Sequence, residues 1–299
     1  MERIGVVGCG LMGSGLVKNL IKHQYRVYVF DVNKEAVRRA IDMGASVCET
    51  IPDLAGKVEC MILSLPSPEL VERTMEEAFP EINEGTVVMD MSTNDVGLTR
   101  KLALKASERK VNFFDCPLSG GPAGAESGTL TVMVGGDEEG LPNAMPVLRA
   151  IGSHIEYLGT SGAGQIAKLC HNMVVGGVIS LLSEAFMTGE QAGVPKEKIA
   201  AVLQKGTGQT RVMDVFGPNL LKESFAEVIF SLSNMRKDVT LYRSLAESVG
   251  VPTISSEPSR QLLDIAAHLN NEQKDVTAVY EIIEQFTGGK EQRRRLFNK

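Results

Sequence analysis

The chain has 299 residues, more than one hydrophobic core usually organises, so two domains are expected. Its 43% hydrophobic and 23% charged residues are typical of a soluble globular protein, and a net charge of −6 gives no electrostatic reason to bind nucleic acid or an anionic membrane. Five cysteines without paired spacing predict neither a disulfide framework nor a metal site. No signal sequence opens the chain and no apolar run is long enough to span a bilayer, so we expect a cytoplasmic protein.

Short apolar runs alternate with amphipathic stretches through the first half of the chain, which is typical of a parallel α/β sheet. Strands are predicted at 4–7, 26–30, 60–65, 86–90, 112–115, 130–134 and 155–157, with helices at 13–22, 69–79, 96–109 and 138–150. Strand signals stop after about residue 163.

One long helix is predicted over 164–192, although Gly176 and Gly177 weaken its middle. Further helices are predicted at 196–205, 234–249, 258–270 and 275–286. We therefore predict a sheet-based N-terminal domain, 1–163, and an all-helical C-terminal domain, 164–299, joined by the long helix. The tail over 290–299 is predicted to be disordered.

A glycine-rich turn, Gly8-Cys9-Gly10-Leu11-Met12-Gly13, lies between the first predicted strand and the first predicted helix. These glycines permit a tight turn, close approach of a pyrophosphate, and close packing of helix on strand. Asp31 ends the second strand 18 residues after Gly13, where a carboxylate binds ribose hydroxyls and repels an additional phosphate. The pattern predicts a Rossmann-type dinucleotide site that prefers NAD; Lys34 nearby leaves NADP possible.

Two further segments follow predicted strands at the carboxyl ends of those strands, which is the edge where a Rossmann-type sheet binds its ligand. Leu65-Pro66 follows the third of the strands predicted above, and Ser92-Thr93 follows the fourth. Each also has a purely structural interpretation, since Pro66 could begin a helix and Ser92 or Thr93 could cap one.

The segment over 115–125 contains Ser119-Gly120-Gly121 and is predicted to be a long glycine-rich loop. A serine hydroxyl and successive backbone N–H groups form an anion-binding nest, so we expect this loop to bind a carboxylate. The alternative is a surface loop without a ligand; long glycine-rich loops in compact domains are usually functional.

Lys168 and Asn172 lie four residues apart near the start of the long helix, so they share one helix face. Partial burial lowers the usual lysine pKa of about 10.4 and makes the amine a usable acid/base. Gly162 and Gly164 just before it are expected to let a ligand approach. An isolated lysine is otherwise a solvated surface residue, and His171 is the competing base.

Taken together, these segments and Lys237-Asp238 resemble the β-hydroxyacid dehydrogenase family, which includes 3-hydroxyisobutyrate dehydrogenases and tartronate semialdehyde reductases. The resemblance covers nearly the whole chain. It implies an NAD(P)-dependent enzyme that acts on a small anionic 3-hydroxy acid or its semialdehyde. It also implies a homodimer or homotetramer assembled through the helical domain.

The resemblance also implies residue roles. Lys168 would be the catalytic acid/base, and Asn172 would hold the substrate. Ser119, Gly120 and Gly121 would bind the substrate carboxylate. The cofactor contacts would come from Leu65, Pro66, Thr93 and Lys237, the first three on the nicotinamide side.

The chain departs from the family pattern at a few positions, with Cys116 and Leu118 where alanine and valine are usual. Arg211 lies in a segment that varies among members; it would either pair with a second anionic group on the substrate or be a surface residue. A substrate with four carbons or a sulfonate therefore remains an alternative.

Three other classes share parts of this pattern. A decarboxylating 6-phosphogluconate dehydrogenase shares Lys168, His171 and Asn172 but uses a glutamate where this chain has Val175. Imine reductases share the fold and usually replace the lysine. A non-catalytic dinucleotide-binding scaffold would typically lose the lysine, which is present here.

Overall fold

The computed structural model describes residues 1–270 and 272–288. The predicted disordered tail lies outside these described residues. The chain divides into two compact units, Met1–Leu169 and Cys170–Lys299. The predicted domain boundary at residue 163 is the start of a long helix, and the division between the units falls further along that same helix.

Strands and helices alternate through the N-terminal unit. The strands are β1 (Arg3–Val7), β2 (Arg26–Phe30), β3 (Ser46–Val47), β4 (Cys60–Leu63), β5 (Val87–Asp90), β6 (Asn112–Asp115), β7 (Leu118–Ser119), β8 (Leu130–Gly135) and β9 (Gly152–Gly159). The helices are α1 (Leu11–Lys22), α2 (Lys34–Asp42), α3 (Ile51–Lys57), α4 (Pro68–Ala78), α5 (Val96–Ser107), α6 (Gly121–Ser127) and α7 (Leu141–Ile151).

The sheet runs in the order β3-β2-β1-β4-β5-β6-β8-β7, with β9 beside β8. The first six of these strands are parallel, in the order that binds dinucleotides where the connection reverses between β1 and β4. Beyond β6 the sheet is mixed, because β8 runs antiparallel to both β6 and β7, while β9 is parallel to β8.

Both faces of the sheet are covered, which is why its central strands are continuous apolar runs. In β4, Cys60 and Ile62 belong to one core, and Met61 and Leu63 belong to the core on the other face. The carboxyl ends of the strands are therefore the edge from which side chains and loops reach a ligand.

Helix α8 (Ala163–Gln191) begins in the N-terminal unit and continues into the C-terminal one. It runs unbroken through Gly176, where a Cβ would lie 3.2 Å from the Met235 sulfur. This glycine allows close packing rather than ending the helix. Helix α8 is long and apolar enough to cross a membrane, and among the described residues it is the one helix that is. The core helix of a soluble protein also meets this criterion of length and composition.

The C-terminal unit continues with helices α9 (Lys196–Lys205), α10 (Arg211–Lys222), α11 (Leu232–Ser248) and α12 (Glu257–Asn270), a 3₁₀ turn (Val276–Ala278) and α13 (Val279–Phe286). Side-chain caps mark two of the starts: Thr210 accepts from the Met213 N–H, and Ser231 accepts from the Asn234 N–H. Their apolar faces enclose a separate core that includes Phe186, Leu220 and Tyr280.

Candidate active site

The predicted dinucleotide turn joins β1 to α1, and two of its glycines are required by the chain itself. Gly8 has φ +93°, and a Cβ there would lie 2.3 Å from the Ser64 carbonyl oxygen. A Cβ on Gly13 would lie 1.9 Å from the Gly8 carbonyl oxygen. A Cβ on Gly10 would meet no atom of the described residues within 4 Å, so this glycine leaves open space beside the turn.

The start of α1 has the character of an anion site. Gly10 caps the helix without a side-chain hydrogen bond, and the first turn contains no acidic residue. The first N–H groups of a helix have no partner within it, and the helix dipole is positive there. Leu11 at this end is 70% exposed. The turn therefore fits a dinucleotide pyrophosphate.

Asp31 lies beside the turn, immediately after β2. Its Oδ2 accepts a hydrogen bond from the Cys9 N–H at 2.6 Å, and its Oδ1 accepts from the Asn33 N–H at 2.7 Å. Burial, reinforced by the charge of Asp31, raises the pKa of Cys9 to about 12, so this thiol remains protonated near neutral pH. The carboxylate is thus fixed where a ribose of NAD is bound in this fold.

The loops after β4 and β5 are joined to each other, since the Leu65 N–H donates to Ser92 Oγ at 3.0 Å. The interpretation of Pro66 as a helix start and of Ser92 or Thr93 as a helix cap is wrong. Helix α4 begins at Pro68 behind the cap Ser67, and α5 is capped by Asp95, so Pro66, Ser92 and Thr93 are not needed to start either helix.

The predicted loop over 115–125 is also wrong in part, because it contains β7 and α6. Leu118 and Ser119 pair with β8 in antiparallel register. Gly120, at φ +129°, and Gly121, at φ +62°, turn the chain from the strand into the helix. The predicted carboxylate-binding residues therefore form a short, rigid corner.

Lys168 points its ammonium at this corner. Its side chain is buried, with 7% of the residue exposed, and Nζ donates to the Leu118 carbonyl oxygen at 2.6 Å. Leu118 directly precedes Ser119, so the N-terminal unit brings the predicted acid/base next to the predicted carboxylate site. The structure therefore shows that Lys168 is not a solvated surface residue.

Gly162 and Gly164 are both constrained by the packing of the chain itself. Gly162 has φ +94°, and a Cβ there would lie 3.1 Å from the Arg100 side chain. A Cβ on Gly164 would lie 2.5 Å from the Met133 carbonyl oxygen and 2.8 Å from that of Asp115. Gly164 lets the start of α8 pack directly on β6 and β8, and Gly162 lies against α5.

Two buried carboxylates that the sequence motifs did not single out lie beneath this site, at the ends of β5 and β6. Asp90 accepts from the Ser92 N–H and from the Asn94 amide, both at 3.0 Å, and burial raises its pKa to about 6. Asp115 accepts from the N–H groups of Gly162 and Gln165, and burial raises its pKa as well. A charged residue at the end of a buried strand was the available signal for both.

In the C-terminal unit, Asn172 is held by a buried carboxylate. Its Nδ2 donates to Asp238 Oδ2 at 2.5 Å, and its Oδ1 lies 2.9 Å from His171 Nδ1. Asp238 Oδ1 forms an ion pair with Lys237 Nζ at 2.7 Å. The predicted Lys237-Asp238 pair thus includes the carboxylate that orients Asn172.

Arg211 opens α10 behind the cap Thr210. Its side chain is 87% exposed, and its NH1 lies 3.7 Å from Asp214 Oδ2, one turn along the same helix. Among the described residues no cluster of three or more His, Cys, Asp or Glu is placed to hold a metal ion.

Comparison with known proteins covers both units. A family model described as the NAD binding domain of 6-phosphogluconate dehydrogenase matches residues 3–159, and one described as NAD-binding of NADP-dependent 3-hydroxyisobutyrate dehydrogenase matches 162–283. The 2-(hydroxymethyl)glutarate dehydrogenase of Eubacterium barkeri is 30% identical over 289 residues, 96% of each chain. The NAD-dependent L-serine dehydrogenase of Pseudomonas aeruginosa is 32% identical over 267 residues, 88% of this chain and 90% of that protein.

Solved structures agree. A 3-hydroxyisobutyrate dehydrogenase of Mycobacterium tuberculosis with L-serine superposes with a TM-score of 0.87 at 28% identity, covering 95% of this chain and 99% of that one. An imine reductase from Pseudomonas sp., at 16% identity and a TM-score of 0.65, shares the fold alone.

The sheet order, the glycine turn and the helical second unit define an NAD(P)-dependent oxidoreductase. Within that class, the chain belongs to the β-hydroxyacid dehydrogenase family, whose members include 3-hydroxyisobutyrate dehydrogenases. The predicted family, fold class and NAD(P) cofactor are confirmed.

Proposed function

We propose that this chain oxidises a small 3-hydroxy acid to its semialdehyde, or reduces the semialdehyde, with NAD(H) as cofactor and Lys168 as general acid/base. One observation carries the proposal: the buried Lys168 Nζ lies 2.6 Å from the Leu118 carbonyl oxygen, next to Ser119. A buried lysine that donates to a backbone carbonyl beside the proposed anion-binding corner is placed for proton transfer to a substrate bound there.

A cofactor held by the glycine turn and Asp31 would supply the hydride chemistry, accepting a hydride from the carbinol carbon in oxidation and donating one in reduction. Lys168 acts on the oxygen of the same carbon. As the neutral amine, its Nζ takes the hydroxyl proton, so that loss of a proton and of a hydride converts the alcohol to an aldehyde. As the ammonium, it polarises the aldehyde oxygen and gives the proton back.

The substrates named for three relatives share one core. L-Serine, 3-hydroxyisobutyrate and 2-(hydroxymethyl)glutarate are all HOCH₂–CHR–COO⁻ and differ only in the substituent R. A primary alcohol one carbon removed from the carbon that bears a carboxylate fits an acid/base next to an anion site. We therefore assign the carboxylate to Ser119, Gly120 and Gly121, and the substrate-holding role to Asn172.

The cofactor contacts follow from the same proposal. Gly8, Gly10, Leu11, Met12 and Gly13 would hold the pyrophosphate. Asp31 would bind the ribose, which supports NAD over NADP. Leu65, Pro66 and Thr93 would contact the nicotinamide side, and Lys237 would reach the cofactor.

The test is NADH absorbance with purified protein and a panel of 3-hydroxypropanoates that vary R, each offered with NAD and NADP. Methyl esters of the same compounds are the matched controls, because they keep the alcohol and remove the carboxylate charge. We expect NAD-dependent turnover of at least one free acid and little or none of its ester. If NADH binds but nothing in the panel, in either direction, turns over, the result contradicts the proposal and favours a non-catalytic scaffold.

A further inference from the structure

We infer that Gln165 is a positioning residue that fixes the segment over 92–94 relative to Lys168. Gln165 is fully buried in the first turns of α8, one turn before Lys168. The inference rests on the proposed function, because it assumes that Lys168 acts on a substrate beside a nicotinamide contacted by Thr93.

The Gln165 carboxamide clamps the backbone on both sides of Thr93. Its Oε1 accepts from the Asn94 N–H at 2.9 Å, and its Nε2 donates to the Ser92 carbonyl oxygen at 2.9 Å. One amide thus satisfies a donor and an acceptor two residues apart on the same segment. Only glutamine and asparagine have a carboxamide, in which the acceptor oxygen and the N–H donor are bonded to one carbon, and asparagine is a methylene shorter.

The clamp is itself anchored to the sheet. The Gln165 N–H donates to Asp115 Oδ2 at 2.9 Å, and the Gly162 N–H donates to Asp115 Oδ1 at 2.8 Å. The carboxylate of β6 therefore binds the N–H groups at the start of α8, where the helix dipole favours a negative charge.

The other side of the segment is fixed by Asp90 at the end of β5. Asp90 accepts from the Ser92 N–H and from the Asn94 side chain, each at 3.0 Å. The segment is thus held between Asp90 on one side and Gln165 on the other. Since Gln165 and Lys168 lie on the same rigid helix, the clamp sets the distance between the segment and the Lys168 ammonium.

The network around Gln165 should therefore affect the rate of the chemical step more than the affinity for the cofactor. The glycine turn and Asp31 lie outside this network, so losing the clamp should leave cofactor affinity nearly intact. A misplacement of about 1 Å between reacting groups costs on the order of 100-fold in rate. Loss of the clamp should therefore lower kcat much more than it changes KM or the Kd for NADH.

The test compares Gln165→Leu, which removes both hydrogen bonds at similar size, with Asn219→Leu. Asn219 is a buried amide in the C-terminal unit that donates to the Glu227 carbonyl oxygen, so its loss controls for general destabilisation. Gln165→Asn is the milder variant, because it keeps the amide and shortens the reach. Hydrogen exchange of the peptide over 91–96 is followed by mass spectrometry, beside NADH binding, kcat and KM.

In Gln165→Leu we expect exchange over 91–96 to rise at least about 10-fold and kcat to fall by roughly 10- to 100-fold, with the Kd for NADH within about 3-fold of wild type. Gln165→Asn should lie between, and Asn219→Leu should show neither effect. Unchanged exchange over 91–96 and wild-type kcat in both Gln165 variants, with Lys168→Met inactive, would overturn the inference and leave the proposed function standing. Turnover retained by Lys168→Met would instead overturn the proposed function, and the inference with it.

Discussion

The buried carboxyl of Asp90 should make the stability of the chain depend on pH in a defined direction. Asp90 has no exposed surface and accepts hydrogen bonds from the Ser92 N–H and the Asn94 amide. Burial raises its pKa from 3.8 to about 6, an effect that these hydrogen bonds oppose. The folded chain therefore retains this proton at pH values where the unfolded chain has lost it.

The sign follows from proton linkage. Because the folded pKa is raised, the stabilisation is fully present below the unfolded pKa of 3.8 and is lost as pH rises through about 6. The rise of the Asp90 pKa from 3.8 to about 6 corresponds to about 3 kcal/mol in total. Part of this loss, on the order of 1 kcal/mol, falls between about pH 5 and about pH 8.

The assay is urea unfolding of wild type and Asp90→Asn across this pH range. The free energy of unfolding of wild type minus that of Asp90→Asn should fall by on the order of 1 kcal/mol from about pH 5 to about pH 8. The exposed Glu108→Gln is the control for removing a negative charge from the same unit. A difference that stays constant, or that grows with pH, would refute the account of Asp90.

Three further changes test the assigned sites. Gly10→Ala should have the same free energy of unfolding as wild type, because the added Cβ meets nothing in the described part of the chain. It should weaken NADH binding by at least about 10-fold in a fluorescence titration, because the methyl group fills the space for the pyrophosphate. Asp31→Ala should reduce the ratio of kcat/KM with NAD to that with NADP; an unchanged ratio would show that another residue selects the cofactor. Ser119→Ala should raise the substrate KM by about 10-fold or more, as expected for a lost hydrogen bond to a charged group. A fall in kcat of that size with an unchanged KM would argue against carboxylate binding by Ser119.

Features encoded locally were predictable from the sequence. The glycine turn and Asp31 were recognised because their spacing reflects one βαβ unit, and the structure places Asp31 against the Cys9 N–H of that turn. Helix α9 was predicted with its observed ends, Lys196–Lys205, because its helical pattern is bounded by Pro195 and Gly206. Periodicity over a dozen residues is sufficient for such elements.

Features set by tertiary contacts were not predictable. The sequence of α6, Gly121–Ser127, contains two glycines and a proline and was interpreted as loop. It is helical because it packs on α1, where a Cβ on Gly15 would lie 2.6 Å from Ala125, and where Asn19 donates to the Ala125 carbonyl oxygen. Strands β3 and β7 have only two residues each, too few for any periodicity.

The most informative contacts of the candidate site also join distant parts of the chain. Lys168 and Leu118 are 50 residues apart, and Gln165 and Ser92 are 73 apart. No spacing rule relates such positions, so the sequence could name Lys168 but not the carbonyl that holds it. Gln165 had no signal of its own beyond its place beside Lys168.

The central claim, that Lys168 carries the proton in the reaction, is tested most directly by comparing kcat of wild type and Lys168→Met on one substrate and its semialdehyde. Methionine matches the lysine stem and cannot transfer a proton. The proposal predicts a loss of kcat of roughly 10²- to 10⁴-fold in both directions, with the Kd for NADH within about 3-fold of wild type. A folded Lys168→Met protein that binds NADH and turns over at a near-normal rate would contradict it.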